Sequence, residues 1–253
     1  MMQIRLTPVV KGLLIGNLAL FIIQKTIDQF FDGHVLDWLA LIPATFVFEF
    51  KFWQLFTYAF LHADVMHLFL NLLMLAFVGC ELEAFWGGKK FILYYLTCST
   101  GGGLLYLFLQ LFAGGAGLRV PMVGASGAIY GLLMAYGILF AERVMLFMML
   151  FPMKAKHFVW ILGGLEFLTM MFSGKSGLSS AAHLGGMVAG FFSLWLEMRL
   201  RMMRASQLAR KTLKRVTQNH LKLVVNNRDG ASSGGSKGSG RDSESGSDPK
   251  TWH

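Results

Sequence analysis

Two short stretches carry groups that can act on one another. Gly124-Ala125-Ser126-Gly127 presents a serine hydroxyl beside backbone with almost no side-chain bulk, and Ala182-His183-Leu184-Gly185-Gly186 presents a histidine inside an apolar run. A hydroxyl next to an imidazole is the pairing of nucleophilic acyl transfer: the ring takes the proton and the oxygen attacks a carbonyl. Each residue also has an ordinary reading. A serine in an apolar helix often bonds back to its own backbone, and a histidine there often serves as an interhelical donor. Further polar groups, His62, His67 and Asn71, stand at the start of another apolar stretch. It is the grouping that points to chemistry.

The elements that must position these groups are hydrophobic segments. Of 253 residues, 55% are hydrophobic and 15% charged, with mean hydropathy +0.53. A soluble domain carries about 25% charged residues. The charges fall between the apolar runs, which excludes a large soluble helical core and predicts an all-α, multi-pass membrane protein. The expected helices are 12–27, 62–82, 90–112, 123–141, 155–172 and 179–200. No Ala-x-Ala-like cleavage site follows the first, so it reads as retained. Residues 28–61 form a connection rich in aromatics, expected to lie in the headgroup region. Gly114, Gly115 and Gly117 mark a turn, and the stretch 144–153 is apolar but interrupted by Pro152. The expected organisation is a membrane domain over 1–200, a basic tail over 201–229 and a disordered Gly/Ser-rich tail over 230–253.

Charge predicts orientation. The N-terminus, the 2–3 and 4–5 loops and the tail to residue 215 together carry fourteen Lys and Arg, against Lys25, Lys51, Arg119 and Lys175 on the other side. By the positive-inside rule both termini are cytoplasmic, which requires an even number of spans and fits six. The net charge of +9 then reflects topology and attraction to anionic lipid, not nucleic-acid binding. Cys80 and Cys98 read as packing residues, and no metal-ligand cluster or cofactor motif is present in the sequence.

With that orientation, helices two, four and six begin at the outer face. Ser126 is expected about four residues into helix four and His183 about five into helix six, roughly 6–8 Å down at 1.5 Å per residue. Polar groups at that depth mark functional sites. Gly127 with Gly131, and Ala182 with Gly186 and Gly190, form small-xxx-small faces that let helices four and six approach closely. Tyr130, four residues after Ser126, shares its face and can hold the imidazole. The ring is expected to replace a triad acid, because no acid is expected at that depth on helices four to six. A soluble serine-hydrolase elbow is excluded, since Ala128 stands where the second glycine would be needed.

These residues resemble the rhomboid family of intramembrane serine proteases over most of residues 45–195. The matching pieces are Trp53-Gln54-Leu55-Phe56-Thr57, His62 with His67-x-x-x-Asn71, Gly79-x-x-x-Glu83-x-x-x-Gly87, Gly124-Ala125-Ser126-Gly127, and Ala182-His183-x-x-Gly186-x-x-x-Gly190. The resemblance implies a six-helix bundle, a Ser–His dyad and cleavage of substrate transmembrane segments in the lipid bilayer. It implies Ser126 as nucleophile, His183 as base, and His67, Asn71 and the Ser126 N–H as oxyanion-hole donors. Tyr130 resembles the ring stacked beside the histidine, and Glu83 a structural polar residue at the inner end of helix two. Trp53, His62, Gly124, Gly127, Gly186 and Gly190 are supporting positions. Gln54 departs from the arginine common there, which bears on the rigidity of the first loop.

Two competing classes remain. A catalytically inactive relative that binds membrane clients would typically lack the serine or the histidine, and both are present. A transporter or channel would show repeats or midplane charges, whereas this polar cluster lies toward one face. Short loops and the lack of a recognisable presequence favour a bacterial plasma membrane. The tail from about 199 to 222 mixes cations with Leu, Met and Val and suits either the cytoplasmic leaflet surface or water.

Overall fold

The computed structural model describes residues 5–31, 33–112, 117–147, 151–172 and 177–231. The expectations for Gly114, Gly115 and the tail beyond residue 231 lie outside the described residues. The chain divides into two units, Met1–Met198 and Arg199–His253. The first unit carries the polar cluster.

Helix α1, Pro8–Phe30, opens on a proline in its first turn, where a missing N–H costs nothing. Its buried residues Val10, Leu13, Asn17, Phe21 and Gln24 recur every three or four positions, so one face turns inward. Its N-terminus is capped from elsewhere. The Glu83 carboxylate accepts from the Val9 N–H at 3.0 Å, the Val10 N–H at 2.8 Å and the Thr7 hydroxyl at 2.5 Å. An acid belongs at the positive end of a helix dipole, which is why a carboxylate is stable there at 5% exposure.

The connection expected over 28–61 is not an open loop. It folds into three short helices, α2 Val35–Leu39, α3 Pro43–Phe48 and α4 Gln54–Thr57, followed by a tight turn Tyr58–Phe60. Gln54 braces it. Its Oε1 accepts from the Ile42 N–H at 3.3 Å and the Thr45 hydroxyl at 3.0 Å, and its Nε2 donates to the Asp37 carbonyl at 3.3 Å. Trp53 adds a hydrogen bond from Nε1 to the Trp38 carbonyl at 2.8 Å and stacks on the Trp38 ring. The loop is therefore tied without an arginine, by a neutral amide that supplies both acceptor and donor.

Helix α5, Val65–Met74, continues through a π-turn at Leu75–Gly79 into α6, Cys80–Trp86. After Gly87, whose φ of +80° lets the chain reverse, comes α7, Gly88–Phe112. Helix α8, Ser126–Leu139, is buried over most of its surface, with Ala128, Leu132, Leu133 and Ala135 at its centre. Helices α9, Ala155–Phe172, and α10, Gly177–Ala231, follow.

Two sequence expectations change here. The stretch around Pro152 is not a lead into helix five but a hairpin, β1 Val144–Phe147 antiparallel to β2 Phe151–Lys154, with Leu146 opposite Pro152. The protein is thus not wholly α-helical. Beside this hairpin Glu142 pairs with Lys154 at 2.7 Å and Lys156 at 2.5 Å. Those two ammonium groups hold its carboxyl down at about 2. Second, Ser126 is the first residue of α8 rather than about the fourth, because the loop bridged to Leu41 at Met122 runs on through Gly124 and the helix starts only after Ala125.

Among the described residues, Pro8–Phe30, Val65–Trp86 and Gly88–Phe112 are long and apolar enough to cross a membrane, and Ser126–Leu139 is a shorter apolar helix. The outward faces are apolar too: Phe112, Trp160 and Phe172 are 76%, 79% and 81% exposed. Exposed apolar surface of this kind suits contact with lipid or another protein.

Candidate active site

Ser126 owes its position to the segment before it. The loop from residue 117 to Ala125 is hydrogen-bonded to the connection that precedes α5. Leu41 and Met122 exchange backbone bonds at 3.0 Å each, Ala44 donates to the Leu118 carbonyl at 2.9 Å, and Gly124 donates to the Tyr58 carbonyl at 2.9 Å. Tyr106 on α7 donates to the Val120 carbonyl at 2.7 Å. Gly124 takes φ +122°, a conformation that strains any residue with a side chain. It also lies under an imidazole: a Cβ there would stand 2.8 Å from His67 Cε1 and 2.9 Å from His67 Nε2. The same Cβ would be 3.6 Å from Ser126 Oγ. Glycine at 124 thus leaves the room that the His67 ring occupies on this side of the serine loop.

His183 arrives on α10, and the approach of α10 to α8 depends on small residues. A Cβ on Gly186 would overlap the Gly127 carbonyl, and one on Gly190 would stand 3.1 Å from the Gly131 carbonyl. Gly127 in turn faces the Ala182 carbonyl, 3.3 Å from where its own Cβ would be. The two small-residue faces meet as the spacing predicts. Helix α7 also enters this contact: its Gly101 and Gly102 lie against the Gly185 and Ala182 carbonyls of α10, and neither α7 glycine stands out in the sequence.

The result is a hydrogen bond of 2.8 Å between His183 Nε2 and Ser126 Oγ. The Tyr130 ring lies parallel on the imidazole, centroids 4.1 Å apart and planes within 5°. His67, on α5, is fixed by its N-cap: Asp64 accepts the His67 N–H at 2.8 Å, and that bond holds the Asp64 carboxyl below its usual range. Asn71, one turn on, is buried and donates one amide hydrogen to the His67 carbonyl at 2.8 Å; the amide carries a second donor. His62 does not lie on this helix as expected. It sits in the connection just before Asp64, fully buried, its ring edge-on to His67 at 5.2 Å. Its backbone exchanges hydrogen bonds with Gln24 on α1 at 3.3 and 3.4 Å. Trp53 and Glu83 brace the structure elsewhere, as described above.

The expectation that no acid stands near the histidine is wrong. Glu166 on α9 places Oε1 3.0 Å from His183 Nδ1, with both side chains largely buried. The Tyr130 hydroxyl donates to that same oxygen, and the Ser180 hydroxyl meets the carboxylate as well. Tyr130 therefore does not stand in for an acid but bonds to one. A signal was available in the sequence: Glu166 is the only acid in the apolar run 155–172, and an ionisable group inside such a run is expensive unless partnered.

Chemically, the imidazole can accept the Ser126 proton. The Ser126 N–H, at the first position of α8, has no helical acceptor and faces the positive end of the helix dipole. His67 and Asn71 carry further donors on the neighbouring helix.

This combination of fold and motifs corresponds to one class. A family model for the Rhomboid domain matches residues 49–200. The chain belongs to the rhomboid family. It is 27% identical over 178 residues to Rhomboid-like protease 3 of Toxoplasma gondii, covering 70% of this chain and 64% of that protein. It is 30% identical over 143 residues to Rhomboid protease GluP of Bacillus subtilis, covering 56% and 25%. It is also 31% identical over 139 residues to the mitochondrial Rhomboid protein 1 of Saccharomyces cerevisiae, covering 54% and 39%. The chain thus spans between a quarter and just under two thirds of the length of these relatives. The protein is an integral, multi-pass membrane protein of a family whose named members include proteases.

Proposed function

We propose that this protein is an intramembrane serine endopeptidase that cuts transmembrane segments of other membrane proteins. The observation that carries this reading is the 2.8 Å bond between Ser126 Oγ and His183 Nε2, in a chain of the rhomboid family. Ser126 is the nucleophile and His183 the general base. The Ser126 N–H, His67 and Asn71 stabilise the oxyanion, each donor contributing about 10²–10³ in rate. Tyr130 holds the imidazole by stacking. Gly124, Gly127, Gly186 and Gly190 permit the close approach, and His62, Glu83 and Trp53 support the scaffold.

The bundle crosses the membrane six times with both termini in the cytoplasm, a reading supported by the distribution of Lys and Arg. The serine and histidine then lie toward the outer face, where water for deacylation can enter. A substrate helix has its carbonyls paired internally, so it must unwind locally. Preference for small or helix-breaking residues near the outer end of the substrate span follows. Short loops favour a bacterial plasma membrane. The mitochondrial relative shows that a rhomboid domain also occurs elsewhere.

Ser126→Ala should abolish cleavage of a reporter bearing a transmembrane segment while leaving the protein folded, and should abolish labelling by a fluorophosphonate probe. Normal cleavage by that variant refutes the assignment. If the wild-type protein neither cleaves nor labels but binds the reporter, the inactive client-binding reading replaces it.

A further inference from the structure

The geometry points to Glu166 as a positioning residue that extends the Ser126–His183 pair to a three-member array. This rests on the reading of Ser126 as nucleophile and His183 as base.

Three observations converge on it. Glu166 Oε1 stands 3.0 Å from His183 Nδ1, on the side of the ring opposite the nitrogen that faces Ser126. Nδ1 is buried and, among the described residues, has no aligned hydrogen-bond partner, so the carboxylate is at charge-contact distance but not yet in line. Such bonds are commonly loose in a resting enzyme and tighten with substrate. The carboxylate is itself anchored: the Tyr130 hydroxyl donates to Oε1 and the Ser180 hydroxyl meets it from α10. Tyr130 therefore touches both partners, stacking on the imidazole and bonding to the acid.

The consequence is a choice of tautomer. A carboxylate beside Nδ1 favours the proton on that nitrogen and leaves Nε2 as the acceptor facing Ser126. When Ser126 Oγ attacks, its proton moves to Nε2. The imidazolium then carries protons on both nitrogens, and Glu166 stays ionised and stabilises that cation without taking a proton. The same proton later goes from Nε2 to the leaving amine. An acid in this role elsewhere is worth up to about 10⁴ in kcat. Burial supports the assignment, since Glu166 is 14% and His183 17% exposed, where a charge contact is weakly screened. Among the described residues, the titratable groups that face the imidazole are Tyr130 from α8, Glu166 from α9 and His67 from α5. Of these only Glu166 supplies negative charge.

The test uses the full chain in proteoliposomes, with wild type, E166Q, E166D and S126A assayed on one transmembrane-segment reporter. Glutamine keeps the shape and an acceptor for Tyr130 but removes the charge. E166Q is expected to lower kcat about 10²–10³-fold with KM within about twofold, and to slow fluorophosphonate labelling of Ser126 in parallel. E166D is expected to recover at least tenfold of the loss, because it restores the charge. A purely structural role would give equal loss in both variants, and that result overturns the proposal. So does E166Q at wild-type kcat. Either outcome leaves wild-type cleavage and S126A inactivity standing, whereas cleavage by S126A would fell the underlying assignment instead.

Discussion

Asn71 sits on the same helical face as His67, one turn further along α5, and the structure gives it an unequal division of labour. One amide hydrogen is committed to the His67 carbonyl, and the second is the one that the proposed oxyanion role would use. Asn71→Ala should lower kcat by about 10²–10³-fold, the usual loss for one oxyanion donor, with KM little changed and the detergent-unfolding midpoint nearly intact. Wild-type turnover in a single-turnover assay would remove Asn71 from that role. Ser126, His183, His67, Asn71 and Tyr130 were all legible in the sequence, because each is a polar group in an apolar run at a helical spacing. Glu166 carried the same signal and was passed over, because its distance along the chain from His183 says nothing of which way it faces. Gln54 was legible only as a departure from a motif. Its three hydrogen bonds depend on where the Ile42 N–H, the Thr45 hydroxyl and the Asp37 carbonyl fall in space.

Helices set the geometry on which those residues depend. The contact between α8 and α10 leaves no room for a side chain at Gly186, whose Cβ would meet the Gly127 carbonyl. Gly186→Val should therefore push the two helices apart. Displacement of about 1 Å is enough to cost about 10²-fold in rate, so cleavage should fall at least that far. Fluorophosphonate labelling should fall with it, a result that distinguishes lost geometry from lost substrate binding. At the other end of α5–α6, Glu83 holds the first turn of α1 through three bonds. Glu83→Ala should destabilise the protein by about 1–3 kcal/mol for each buried donor left unpaired, read as a lower midpoint of SDS-induced unfolding. The rate per folded molecule should hold. A midpoint equal to wild type would show that water replaces the carboxylate. Five of the six expected helices begin within about three residues of their expected starts. The hairpin at 144–154 was missed because an apolar run with a proline has no clear period, and pairing across its turn is a tertiary choice.

At the scale of the whole molecule, the exposed apolar belt and the distribution of cations make a prediction about sides. Single cysteines placed at Lys89 and Lys156 should react with an impermeant maleimide from one face of sealed vesicles. Those at Lys51 and Arg119 should react from the other. Labelling of all four from the same face would contradict the six-span, cytoplasmic-termini reading. The membrane class, the small-residue faces and the placing of a serine and a histidine near the starts of two apolar helices follow from the order of residues alone, because hydropathy, charge and helical period are properties of the linear chain. What only the tertiary structure decided is how α9 is rotated against α10. Helix rotation is set by side-chain packing from several neighbours at once, and no spacing along one strand of sequence encodes it. That rotation is why a carboxylate stands at His183 Nδ1 where the sequence reading expected none.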